Sequence, residues 1–185
     1  PKRSTNNRMS PAGISYFYGG TGVDGIKTCI SEVRPSVGEK VVVAEFETLK
    51  ELTILDLTHD LGDSTSIFSE DYYLDYDEFV KPFLKHFAND ISKPIKASDT
   101  AIEYTPTQVF TEFLKVNSFK PSYLEMYDDL ENESDVIRFD GIKFKSALHK
   151  DGENIVIFKG PSISTEDKND PTALLLFKGY KNYTF

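Results

Sequence analysis

A chain of 185 residues with 39% hydrophobic content is long enough for one packed domain, with room for a small appendage. Its formal charge of -9 argues against a nucleic-acid partner, which needs a basic stripe to displace counterions from phosphate. A single cysteine, Cys29, rules out an internal disulfide, and no apolar run approaches the roughly 20 residues of a membrane-spanning helix.

Residues 1–13 (PKRSTNNRMSPAG) are polar and turn-rich and read as an extended arm entering the domain. A strand is expected at 14–18 (ISYFY), followed by a glycine-rich turn at 19–22 and a helix reaching Arg34. Residues 40–47 (KVVVAEFE) and 52–57 (LTILDL) read as strands from their β-branched content. The stretch between them is too short for a parallel crossover, so the two are expected to pair as an antiparallel hairpin.

A loop is expected at 59–75. Residues 76–91 (YDEFVKPFLKHFANDI) carry a helical stripe of Phe79, Val80, Phe83, Leu84, Phe87 and Ile91. Pro82 kinks that helix unless it lies in the first turn. A second helix is expected at 106–116 with Thr105 as its N-cap, then an acidic loop at 128–135. Strands are expected near 137–144, 154–158 and 173–177, the last after a hydrophilic loop (STEDKND). The whole chain, 1–185, reads as one domain. The opening Pro1 reads as a trimmed start, and the chain is expected to be the C-terminal part of a larger protein.

Three local signals invite a functional reading. Gly20, Gly22 and Gly25 match G-x-G-x-x-G between a strand and a helix, with Glu45 about 20 residues on, the spacing of a dinucleotide fingerprint. No further βαβ unit follows, so these glycines are read as a strand-to-helix turn. His59, His86 and His149 are scattered without zinc spacing, and no metal is expected. Ser146 and His149 lack a partner acid for a triad, and Cys29 lies on the apolar side of its helix, as a small core residue would.

A broader pattern comes from segments in chain order. NRMSPAGI at 7–14 leads into YFY at 16–18, and TCISEV follows at 28–33. LTILDLT lies at 52–58, YTPTQ at 104–108, FDGIKFKS at 139–146 and ENIVIF at 153–158. This order resembles the RES domain family over about residues 7–160. The resemblance implies an α+β fold with a mixed, largely antiparallel sheet and flanking helices, akin to ADP-ribosyltransferases. It also implies cleavage of NAD by hydrolysis or phosphorolysis, or ADP-ribosyl transfer in some members. Many members are toxins restrained by an antitoxin. The family's arginine lands on Arg8, its aromatic on Tyr18, its acid on Glu32 and its serine on Ser146. A further arginine that members carry upstream has no match, since Arg3 stands in the wrong context.

The chemistry suits these residue types. Breaking the nicotinamide–ribose bond develops positive charge on the ribose, as in glycoside hydrolysis. A carboxylate such as Glu32 stabilises that charge, and a guanidinium such as Arg8 grips a pyrophosphate with its planar fork. Tyr18 is expected to stack on nicotinamide, and Ser146 to donate a hydrogen bond to ribose or carboxamide. Tyr104 and Gln108 read as structural or supporting. NAD is the expected substrate rather than a cofactor. The expected partners are an antitoxin or regulatory domain, with no nucleic acid and no membrane, and the expected compartment is the cytoplasm.

Overall fold

The computed structural model describes residues 6–60, 62, 76–94, 103–119, 136–160 and 163–185. The fold is α+β, with two mixed, largely antiparallel sheets and flanking helices. One sheet has the order β1-β5-β4-β3, from Phe17–Thr21 (β1), Glu153–Ile157 (β5), Gly141–Lys145 (β4) and Ile54–Asp56 (β3). The other has the order β2-β7-β6, from Lys40–Thr48 (β2), Leu175–Thr184 (β7) and Ser164–Thr165 (β6). Helix α1 is Gly25–Val33. A π-helical turn at Tyr76–Val80 leads into α2, Lys81–Ile91, and α3 is Thr105–Val116.

Period-2 alternation explains why the four-stranded sheet lies in the middle. Ile142, Phe144 and Val156 point to one side and pack with Phe87 and Ile91 of α2 and Leu114 of α3. Ile155 and Ile157 point to the other side and meet Phe17, Phe46, Leu174 and Leu175 between the two sheets. Strand β5 is therefore covered on both faces, as its near-continuous apolar run requires. Phe46 ties the layers together, edge-on to Phe17 at 5.3 Å and tilted against Phe177 at 5.6 Å.

Several sequence expectations are corrected. The strands at 40–47 and 52–57 are not a hairpin: β2 pairs antiparallel with β7, and β3 pairs parallel with β4. The short connection instead carries the chain from one sheet to the other. Leu49 N–H bonds Leu174 O in one sheet, and Thr53 O accepts from Asp140 N–H beside the other. The first strand lies three residues later than expected and includes Gly19 and Gly20, and of Gly19, Gly20, Gly22 and Gly25 only Gly22 turns with positive φ (+73°).

Pro82 sits in the first turn of α2, directly after the π-helical turn, where a proline is tolerated and α2 runs on from it to Ile91. Tyr104, not Thr105, occupies the N-cap of α3, with no side-chain cap and Pro106 in the first turn. Strand β4 starts only at Gly141, and Ile137 forms a lone bridge to Phe119. The loop STEDKND begins with β6, and β7 runs on to Thr184. Its apolar part is the length buried between sheets, while its polar end pairs with β2 facing solvent. The acidic stretch at 128–135 and most of the loop at 59–75 lie outside the described residues. Among the described residues, no helix is long and apolar enough to cross a membrane.

Candidate active site

Helix α1 presents two adjacent ridges, and each has a mate. Cys29 faces β1, where its Sγ accepts the Gly20 N–H at 3.0 Å. A Cβ on Gly20 would fall 2.4 Å from Gly25 O and 3.1 Å from Cys29 Sγ. These glycines therefore serve close strand-to-helix packing, in an antiparallel setting that has no dinucleotide crossover. Cys29 is half-buried and lines the cleft described below.

Thr28 and Glu32, one turn apart, face the β4–β5 connection. Thr28 is fully buried, donates to Asp24 O at 3.0 Å and lies 2.9 Å from His149 Nδ1. A Cβ on Gly152 would fall 2.6 Å from both His149 Nδ1 and Thr28 Oγ1, so only glycine lets the turn close on the helix. Within that turn Ser146 Oγ accepts the N–H groups of Leu148 (3.1 Å) and His149 (3.0 Å). With its lone pairs so used, its proton points to Glu32 Oε1, 2.7 Å away.

Asn154 Nδ2 donates to the same oxygen at 2.8 Å. Glu32 thus has one oxygen held by two donors while the residue keeps access to solvent. An acid in the last turn of a helix stands against the negative end of the helix dipole, a cost that the two donors on its oxygen offset.

Arg8 arrives from the arm. Met9 and Ser10 are completely buried, and Met9 N–H donates to Tyr18 Oη at 3.2 Å. The Arg8 guanidinium donates to Asp90 O (3.1 Å) and Lys93 O (2.8 Å), capping the end of α2, and lies 5.7 Å from the centre of the Tyr104 ring. Burial pulls its pKa below the ordinary value, against the pull of Tyr104, Glu32, Glu103 and Tyr18. Two of its five N–H groups face the two carbonyls.

Tyr18 has its hydroxyl end against the arm, where burial raises its pKa. The residue as a whole is 40% exposed and lines the cleft.

Arg8, Tyr18, Glu32 and Asn154 line one cavity of about 240 Å³, with Phe144 and Cys29 on its apolar walls. Ser146 stands one bond behind, acting on Glu32. Sequence reasoning left out Asn154. The signal available was alternation, which puts Asn154 on the same face of β5 as Val156; the structure buries it there, 8% exposed, where a polar group needs a partner.

The chain is thus a two-sheet α+β domain with an acid, a guanidinium and a tyrosine around one cleft. A family model described as RES domain matches residues 1–177, and the chain belongs to that family. Neither a comparison with curated proteins nor one with solved structures gives a match.

Proposed function

We propose that the cleft binds NAD and cleaves the bond between nicotinamide and ribose. The observation that carries this reading is Glu32, held through Oε1 by Ser146 and Asn154 at the mouth of the cavity that Arg8 and Tyr18 share. In this reading Arg8 takes the pyrophosphate with the N–H groups not turned to Asp90 O and Lys93 O, and Tyr18 stacks on nicotinamide. Glu32 turns its other oxygen to the ribose.

The C1′–N bond breaks with its electron pair leaving on neutral nicotinamide, so no acid is needed. The positive charge spreads over C1′ and the ring oxygen, where the Glu32 carboxylate stabilises it. Water then gives ADP-ribose and a proton, whereas phosphate gives the ADP-ribose 1″-phosphate ester. Family membership supports a toxin or defence effector of the cytoplasm, restrained by an antitoxin or regulatory domain.

A second reading, an NAD-sensing module without turnover, rests on the same cleft, where Arg8 and Tyr18 can hold NAD whether or not it is cleaved. The test is incubation with NAD, with and without phosphate, followed by product identification. Free ADP-ribose or its phosphate ester supports the enzyme, and label on a macromolecule supports a transferase. NAD bound in calorimetry but left intact supports the sensor. No binding and no cleavage rejects both readings.

A further inference from the structure

Arg8 belongs to neither a helix nor a strand, yet its guanidinium must point into the cleft if it is to take a pyrophosphate. Residues 6–13 have no ladder of hydrogen bonds with a sheet, and α3 supplies the substitute. Thr107 Oγ1 donates to Arg8 O. Gln108 Nε2 donates to Asn6 Oδ1 at 2.6 Å and to Asn7 O at 2.7 Å, and a third oxygen, Ser10 O, lies 3.3 Å away. Asn7 N–H closes on Ser10 O at 2.9 Å, so the arm makes a small loop around the Gln108 amide. The loop contains Arg8 and none of the amide's acceptors is on Arg8 itself, so the amide sets where the residue starts, while the far end of its fork rests on Asp90 O and Lys93 O.

We propose that Gln108 is a positioning residue for Arg8: its amide gathers three oxygens of the arm and thereby fixes where the guanidinium meets the pyrophosphate. This rests on the reading of the cleft as an NAD site. Because the effect passes through a group that binds substrate and transition state alike, it belongs to KM and not to kcat. An acid of the same shape makes the test specific. In Gln108→Glu the carboxylate faces the three oxygens with no proton to give, and the arm is pushed away. Protonating that carboxyl restores one O–H donor.

The experiment measures kcat and KM for NAD in wild type, Gln108→Glu and Arg8→Ala, from neutral pH down toward the carboxyl range of about 4. Thermal melting of each variant is followed in parallel. The expected result for Gln108→Glu is a KM raised about tenfold at neutral pH, the size of a lost hydrogen bond with added repulsion. The expected kcat stays within about twofold, and the KM difference from wild type shrinks as the pH falls. Glu32 and Glu103 also act electrostatically on Arg8, so the wild-type profile supplies the baseline for their titration.

An unchanged KM overturns the proposal. So does a loss of kcat and melting temperature that acid does not repair, because that marks a general structural role. If Arg8→Ala itself leaves KM unchanged, the reading of the cleft fails instead.

Discussion

Ser146 and Glu32 are joined by a 2.7 Å hydrogen bond across 114 residues of chain. The serine hydroxyl is itself oriented by two N–H groups of its own turn, so its proton has one direction to go. A carboxylate fixed through one oxygen cannot rotate to follow the substrate. It presents its second oxygen at one place, and that is what preorganised stabilisation of a developing charge requires.

Glu32→Gln keeps the shape and an acceptor for Ser146 and Asn154 but removes the charge. NAD turnover is expected to fall about a hundredfold or more, with NAD binding changed much less because Arg8 holds the other end. Nicotinamide release together with calorimetry checks both halves. Undiminished turnover would remove Glu32 from the chemistry.

Asn154→Asp puts a second carboxyl where an amide now lies 2.8 Å from Glu32 Oε1. Two carboxylates so close share a proton, and the pair releases it only at higher pH. Turnover at neutral pH is expected to drop, and the acid limb of the rate profile to move upward in pH. A limb in the same place as wild type would show that the Asn154 contact has no bearing on the charge of Glu32.

Gly20→Ala brings a methyl group to 2.4 Å from a backbone oxygen that cannot rotate away. The expected cost is about 1–3 kcal/mol of stability, read by denaturant unfolding. Turnover should fall with it, because the helix that must move carries Glu32. Gly22→Ala is the control: it strains a positive-φ turn but meets nothing within 4 Å, so it should cost stability while sparing turnover.

Burial raises the pKa of both Tyr16 and Tyr18 above the ordinary value of 10.0. At Tyr16 the bond to Glu112 adds to the effect, and at Tyr18 the bonds to Ser10 and Met9 oppose it. The folded state keeps these phenol protons after the unfolded chain has begun to lose them. Stability is therefore full below about pH 10 and falls as pH rises toward the folded-state values. Ultraviolet titration should show two phenols ionising late, with unfolding following them. If all ten tyrosines titrate together near pH 10 in the folded protein, the burial argument fails.

Much of the fold was legible in local pattern, because the relevant forces are local. The apolar stripe of α2 and the runs of β2, β4 and β5 mark their own elements, and Pro82 marks where α2 starts. The order of motifs was enough to bring Arg8, Tyr18, Glu32 and Ser146 forward as one group. Partner choice was not legible. A short connection between two strands forbids a crossover but cannot say whether the chain folds back or changes sheet. That was decided by where Leu52 and Phe46 could bury apolar surface between β5 and β7.

Glu32 illustrates the same division. Its residue type and place on a helix were readable, but nothing local could say that Ser146 would bond it directly or that Asn154 would share the same oxygen. Those contacts exist because Gly152 lets a turn close on Thr28, and because Gly20 lets α1 lie against β1. Sequence by itself determined which side chains stand as candidates for the chemistry, since their types and order are written in it. Only the tertiary structure decided which of them face the cleft and which hold the others in place, because that depends on close packing between segments more than a hundred residues apart.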